Sequence, residues 1–186
     1  MSKNGLILLT PTSIAYTGTS ATVSANGSVS FSAVSSLSLN GVFSADYDNY
    51  MMVMWSRFSV AGGEFLDFRL RASGTDNTTA SSYVTQRLDV DNTSVGGART
   101  TSDKGYIGYI RGTAGGLIGG EVAEIYGPFL AQPTAWRNND VSPLNNAFIR
   151  DCSGTHNQSA SYDGATFSVL SGNITGLISI YGLVGA

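Results

Sequence analysis

The chain has 186 residues and a formal net charge of −3, and only 12% of its residues are charged. Hydrophobic residues make up 42% and aromatic residues 10%, which suffices for one folded domain and argues against disorder. A single cysteine and a single histidine exclude an internal disulfide, a cysteine-cluster metal site and a multi-histidine centre. The absence of a basic block disfavours nucleic-acid binding.

Neither the hydropathy of the chain nor its N-terminal residues predict insertion into a membrane or secretion. No apolar segment approaches the ~20 residues that span a bilayer, so no membrane segment is predicted. The N-terminal apolar run is confined to residues 6–9, whereas a secretory signal needs about 7–15 apolar residues. We therefore expect the protein to be made in a cytoplasm without secretion.

The first part of the chain differs from the rest in amino-acid composition. Within the N-terminal segment 1–41, residues 9–41 are almost all Ser, Thr, Ala, Gly and Val, and Phe31 is their one large core candidate. Small side chains bury little apolar area, so strands built from them gain little stability from their own core. We expect this N-terminal β segment to pack on a main β-sandwich domain, residues 42–186, or on neighbouring subunits, as edge strands that another chain completes.

Alternation of polar and apolar residues is the dominant pattern along the chain. It is clear in segments 28–34, 64–71 and 82–90 and is typical of half-buried antiparallel strands. Segment 50–58 is apolar on both sides at first, which predicts a central strand covered on both faces. Further strands are predicted in segments 5–9, 20–24, 105–111, 121–127, 146–152, 165–171 and 174–182.

Turn signals such as Asn26-Gly27 and Asp163-Gly164 separate these segments. The sequence therefore predicts an all-β fold, an antiparallel β-sandwich or jelly roll of roughly ten strands. At most one short helix is expected, around residues 117–126. The residues predicted to be buried are Phe31, Val53, Trp55, Leu66, Phe68, Leu70, Val84, Leu88, Phe148, Phe167, Ile178 and Ile180.

No residue pattern predicts catalysis. Cys152 and His156 are four residues apart on a predicted strand and its turn, a spacing that does not bring a nucleophile onto its base. Glu121 and Glu124 point to opposite faces of a strand, so they do not form the carboxylate pair of a glycosidase. We expect a protein that is not an enzyme and has no cofactor.

Two acidic clusters are candidate calcium ligands: Asp46 with Asp48, and Asp89 with Asp91. Carboxylate and amide oxygens on a turn suit a hard cation, although calcium needs ~6–8 oxygens from several segments. The alternative is that Asp and Asn close turns through bonds from their side chains to the backbone.

The arginines are the most informative charges, because the chain has eight Arg against two Lys and Arg is enriched at interfaces. Arg57, Arg69, Arg71 and Arg87 lie on consecutive predicted strands and could form a row on one face. The row predicts an interface between subunits, and a solvated sheet face is the alternative. Phe31 and Trp136 complete the interface candidates.

The sequence predicts different roles for the two tryptophans. Trp136, in the segment PTAWRNND, is predicted to lie exposed on a loop, where it could stack on a sugar. Trp55 lies in an apolar strand and is predicted to be part of the core.

Several phrases occur together in order: FSADYDNY, RLRASGTDNTTASSY and, near the end, SGNITGLISIYG. This pattern resembles a family of small virion proteins of tailed bacteriophages, labelled minor tail or tail-fibre proteins, with related β-domains among capsid decorations. The resemblance covers nearly the whole chain from about residue 5. It implies a non-enzymatic, homotrimeric β-domain on the outside of a phage particle.

The leading expectation is thus a tail-associated virion protein, assembled in the bacterial cytoplasm, that contacts other virion proteins and a host-surface glycan. A capsid cement protein that stabilises the shell is the alternative. A polysaccharide depolymerase and a lectin-like sugar binder are two further hypotheses. No nucleic-acid or membrane partner is expected.

Overall fold

The computed structural model describes residues 5–91, 93–112, 118–141 and 149–184. Within these ranges the chain forms strands joined by turns and loops, and no helix is present. The strands are β1 Gly5–Leu9, β2 Ser13–Val23, β3 Val29–Asn40, β4 Asn49–Phe58, β5 Gly62–Ala72, β6 Thr75–Asp76, β7 Tyr83–Asp91, β8 Ser94–Ser102, β9 Gly105–Gly112, β10 Gly119–Tyr126, β11 Thr134–Val141, β12 Ile149–His156, β13 Gly164–Ser168 and β14 Ile174–Val184.

The strands form one curled antiparallel sheet. Its order is β6-β5-β13-β3-β14-β4-β10-β11-β12-β7-β8, with β1 on β14, β2 on β3 and β9 on β5. Strand β9 hydrogen-bonds to β5 and packs across β10, β11 and β12, so the sheet folds over on itself around one core. The predicted all-β sandwich is confirmed. The candidate helix around 117–126 is not formed in its described residues, because residues 119–126 form β10, a strand paired on both sides, as predicted for segment 121–127.

The alternation of side chains was predicted correctly where the sequence alternates strictly. Strand β5 buries Leu66, Phe68 and Leu70 as expected. Phe31, Phe167, Ile178 and Ile180 are also buried as predicted. Phe148 lies outside the described residues.

On β4 the core assignment is wrong. Met52 and Met54 are buried, whereas Val53 is 38% and Trp55 39% exposed. Both sides of this strand are apolar, so alternation alone does not select the inner face. The register selects it, because Met54 lies opposite the buried Ile178 of β14 and Val53 takes the other side.

Strand β7 shows the same inversion. Leu88 is 47% exposed and Val84 is half-buried, while Tyr83 is buried. The Tyr83 hydroxyl accepts a hydrogen bond from the Leu70 amide at 3.0 Å and donates one to the Asn77 carbonyl at 3.1 Å. These bonds hold Tyr83 inside, and residues an odd number of positions away then point outward.

The exposed loop position predicted for Trp136 is also wrong. It lies on β11 rather than on a loop and is only 2% exposed. Its indole Nε1–H donates to the Tyr106 carbonyl of β9 at 2.9 Å. Gly105 and Gly154 leave room for the ring on either side. Trp136 is therefore a core residue on a strand and not an exposed loop residue.

The N-terminal segment contributes an interior strand. β3 pairs with β2 on one side and with β13 and β14 on the other, and its Phe31 is 4% exposed. The interface role predicted for Phe31 is wrong, because the ring is covered within the same chain. β2 by contrast lies at the edge and is mostly exposed.

We expect Gly154→Ala to lower the free energy of unfolding by about 1–3 kcal/mol, because a Cβ there would overlap the Trp136 ring. Chemical denaturation monitored by tryptophan fluorescence measures the change. Gly96→Ala on β8 is the matched control, because a Cβ at Gly96 meets nothing within 4 Å. Equal stability of the two variants would contradict the packing role of Trp136.

Candidate functional site

Cys152 and His156 both lie on the inner side of β12 and are buried. A strand rises about 3.3 Å per residue, so four residues separate them by about 13 Å. Burial raises the pKa of Cys152 to about 12 and lowers the pKa of His156 to about 4. The imidazole packs against Tyr83 at 4.3 Å and Tyr162 at 5.2 Å between ring centroids. This geometry supports a structural role for both residues.

The calcium candidates are not brought together. The Asp89 carboxylate binds two guanidinium groups, Arg87 at 2.9 Å and Arg150, so its charge is already neutralised. Asp46 lies on an exposed loop, where it contacts the Ser44 hydroxyl at 3.2 Å, and Asp48 is exposed nearby. The side chain of Asp91 lies outside the described part of the structure. Among the described residues no cluster of three His, Cys, Asp or Glu could hold a metal.

The four arginines do not form one row. Arg71 is buried, and its Nη1 donates to Asp76 at 2.7 Å, Ser38 at 2.6 Å and Thr166 at 2.6 Å. This guanidinium ties β5 to β3, β6 and β13 inside one subunit, which corrects its predicted interface role.

The other three arginines point in different directions. Arg69 pairs with Asp103. Arg87 lies 5.1 Å above the Phe65 ring, and Arg57 is exposed on the outward side of β4. The strand order explains the difference, because β7 is not a neighbour of β5 in the sheet but faces it across the core, where Arg87 reaches the Phe65 ring of β5. Only Arg57 keeps the exposure that an interface contact requires.

A buried and a half-buried acid lie side by side, an arrangement that the sequence pattern does not predict. Glu121 on β10 lies opposite Asp140 on β11, and its Oε2 has no hydrogen-bond partner. Burial raises the pKa of Glu121 to about 8, and the nearby Asp140 adds to the rise. Burial also raises the pKa of Asp140 to about 7, although its Oδ2 accepts a hydrogen bond from the Tyr109 amide at 3.0 Å. The alternation of β10 could have placed Glu121 on the inner side.

The native state therefore holds a proton on Glu121 that the unfolded chain releases above pH 4.5. The free energy of unfolding should fall as pH rises from about 4.5 to about 8. Glu121→Gln should increase stability by about 3 kcal/mol at pH 7, since one pKa unit is worth about 1.4 kcal/mol, and should change it little at pH 4. Urea denaturation at the two pH values measures this.

Glu124→Gln is the control for that experiment. Glu124 lies on the outward side of the same strand, where hydrogen bonds from Arg137 and Tyr126 lower its pKa. A pH-independent effect of Glu121→Gln, or the same pH profile for both variants, would contradict the buried proton.

The outward side of β4, β10, β11, β12, β7 and β8 forms one surface, which we call the outer face. These six strands are consecutive in the sheet. One part of it is an apolar stripe, defined by exposed large side chains. Its members are Val53, Trp55, Leu88, Val95, Val122, Val141 and Ile149.

The stripe is unusually exposed for residues of this kind. Val95 is 72%, Val141 67% and Ile149 51% exposed. Gly120 lies opposite Trp55 and adds no side chain, which leaves a depression of about 280 Å³ beside Val53 and Val122. Contiguous exposed apolar side chains mark binding surfaces in soluble proteins.

Next to the stripe is a polar cradle, defined by Gln86, Tyr126, Arg137, Ser153 and Thr155. These residues line a depression of about 450 Å³ together with Val84, Ala135, Trp136 and Gly154, so the accessible lining is mostly apolar. They come from β7, β10, β11 and β12, which the register of the sheet places side by side.

The cradle has both apolar and hydrogen-bonding groups, and the ion pair of Arg137 with Glu124 leaves no net charge at its Tyr126 end. Tyr126 is 37% exposed. The Arg137 Nε donates to the Glu124 carboxylate at 2.6 Å, and the Tyr126 hydroxyl donates to the same carboxylate oxygen. The pair fixes the Arg137 and Tyr126 side chains at the rim. The cradle thus offers one aromatic face with several hydrogen-bonding groups around it.

Comparison with known proteins identifies no family. No protein-family profile matches the chain, and no curated protein sequence matches it. Among the described residues there is no helix of the length and hydrophobicity needed to cross a membrane.

Solved structures with similar folds are remote. The C-terminal CBM6 of LamC, a laminarinase from Zobellia galactanivorans, is 14% identical with a TM-score of 0.34, over 95% of this chain and 98% of that one. The SPRY domain of human HERC1 is 7% identical with a TM-score of 0.35, over 89% and 94%. Domain 4 of the arabinanase AbnA from Geobacillus stearothermophilus is 11% identical with a TM-score of 0.32, over 92% and 84%. Such values carry no argument about function.

Proposed function

We propose that this chain is a non-enzymatic structural protein of a tailed-bacteriophage particle, associated with the tail, whose outer face contacts the host surface. The observation that carries the attachment role is the outer face itself. Exposed apolar side chains such as Trp55, Val141 and Ile149 are gathered on one side of the sheet, next to the polar cradle. Exposed apolar side chains gain free energy when another molecule covers them, so a surface of this kind is suited to binding.

The chemistry of the described residues supports a protein without catalysis. A general base must reach its substrate and titrate near the working pH. His156 is buried with its pKa lowered to about 4, and Cys152 is buried with its pKa raised to about 12. Glu121 is sealed between the sheet layers. We therefore assign His156, Cys152 and Glu121 structural roles in the core.

The assignment to a phage particle rests on the resemblance of the segments FSADYDNY and SGNITGLISIYG to small virion proteins. The uncharged strand β2 supports assembly with other chains, because an exposed edge strand invites pairing. A capsid decoration protein is the alternative, since the same edge and the same face could bind a shell. Copy number separates the two roles.

Quantitative mass spectrometry of gradient-purified particles, from the phage that encodes the chain, tests the proposal. A tail protein should be present at a small number of copies per particle, comparable to other tail components. A copy number that approaches that of the major capsid protein would favour the decoration role, and absence from the particles would refute both.

For the host contact we propose a neutral glycan in the polar cradle. The Tyr126 ring offers an apolar surface for the CH face of a sugar, and Gln86, Ser153 and Thr155 offer hydrogen bonds to its hydroxyls. Glu124 and Arg137 neutralise each other, so the cradle holds no surplus charge to attract an anionic ligand. Each of these features favours an uncharged, hydroxyl-rich ligand.

We expect Tyr126→Ala to weaken binding to the surface polysaccharide of the host about tenfold, which corresponds to the loss of about 1.4 kcal/mol. Tyr126→Phe keeps the ring and should retain most of the affinity. Isothermal titration calorimetry with the purified polysaccharide measures both.

Tyr16→Ala is the matched control, because Tyr16 is 44% exposed on β2, away from the cradle. Equal affinity of the Tyr126→Ala and Tyr16→Ala variants would contradict the cradle as the site. Absence of any binding by the parental chain would contradict the glycan itself.

A further inference from the structure

Strand β2 presents a long free edge. It has 11 residues and, within the described part of the chain, pairs only with β3. Each edge strand of a sheet carries a row of backbone N–H and C=O groups that point away from the sheet and can pair with another strand. Ile14, Ala21 and Val23 touch the core, while most other side chains of β2 are exposed.

The edge lacks the features with which monomeric proteins block such pairing. These features are charged side chains, especially Lys, a proline within the strand, a very short strand, a covering loop or a β-bulge. The β2–β3 pair does contain one irregularity, a shift in register between Thr17 and Gly18, where the extra residue lies on β3 and not on the edge strand. No charged residue occurs between Lys3 and Asp46, and Pro11 lies before the strand begins. The exposed side chains of β2 are Ser, Thr, Ala and Gly apart from Tyr16.

The composition of β2 indicates what pairs with it. Two copies of an uncharged strand meet without repulsion, and small side chains let two backbones reach the ~4.8 Å spacing of a sheet. An antiparallel pair of identical strands is isologous and closes with two-fold symmetry, so it ends at two chains. Another free edge, β8, carries the charged Arg99 and is less suited to a strand that has no charge of its own.

We propose that β2 pairs antiparallel with β2 of a second copy of this chain, which extends the sheet across a two-fold axis. The pair satisfies the free backbone groups of both edges and covers the small side chains between them. The proposed pairing depends only on β2, so a monomeric chain could still bind a ligand through the outer face. Equally, a dimer could form even if the outer face binds no ligand. A homotrimer would instead need a head-to-tail contact between two different edges.

Two lysines on the edge test the proposal. Thr17→Lys combined with Thr19→Lys places two positive charges on either side of the middle of β2, where the lysines of one copy approach those of the other, at positions that are exposed in the subunit. Thr78→Lys, in an exposed loop, is the matched control, and Thr101→Lys on β8 tests the head-to-tail alternative. Light scattering after size exclusion gives the mass, and circular dichroism verifies that each variant is folded.

The parental chain, Thr78→Lys and Thr101→Lys should have twice the 19.4 kDa mass of one chain, and the double β2 variant should have the mass of one. A parental monomer at micromolar concentration would overturn the proposal. So would a trimer that Thr101→Lys dissociates, or a dimer that the two β2 lysines leave intact.

Single cysteines provide a second readout that does not depend on folding energetics. Thr17→Cys, Thr19→Cys and Ser20→Cys should each be oxidised separately, with the parental chain as the control because Cys152 is buried. Near the two-fold axis a residue faces its own copy, and a disulfide forms only when the two Cα atoms are about 4.4–6.8 Å apart. We expect a crosslinked dimer at one or two adjacent positions. The absence of crosslinking at all three would contradict the antiparallel pair.

Discussion

The packing of Trp136 is the constraint on which the remaining structure depends. Its ring lies against Phe68 of β5 at 5.3 Å and Tyr83 of β7 at 6.2 Å between centroids, and its Nε1–H donates to the Tyr106 carbonyl of β9. One side chain therefore connects strands from both layers of the sandwich. It fits because Gly105 on β9 and Gly154 on β12 have no side chain. Since side chains alternate along β11, an inward Trp136 makes Arg137 and Ala135 point outward.

The same alternation separates the chemistry of the molecule into two compartments. Cys152, His156 and Glu121 face inward, where burial shifts each pKa toward the uncharged form. The buried charges that remain are neutralised locally, as Arg71 is by Asp76. The outward side keeps Tyr126, the ion pair of Glu124 with Arg137, and the apolar stripe. The titratable groups are thus buried, and the exposed side holds the groups on which the proposed binding role rests.

The sequence predicts the fold class well because alternation is a local property. It succeeds on β5, where Leu66, Phe68 and Leu70 alternate with polar residues. It fails on β4, which is apolar on both sides, so that only pairing with β14 decides that Met54 is buried and Trp55 exposed. It fails for Trp136 because the polar neighbours of this residue resemble a loop, although they form the outward side of β11. The cradle could not be predicted, because the sequence shows neither that β7 pairs with β12 nor the register that aligns β10, β11, β12 and β7.

We propose that the outer face is the contact surface of a tail protein. The most direct measurement is a cryo-EM reconstruction of the phage particle, alone and with fragments of the host surface. The account predicts density for this chain on the tail, with Tyr126 and the apolar stripe facing away from the particle and covered when host material is bound. A particle whose tail lacks the chain, or host material bound elsewhere on the chain while the outer face stays solvated, would contradict it.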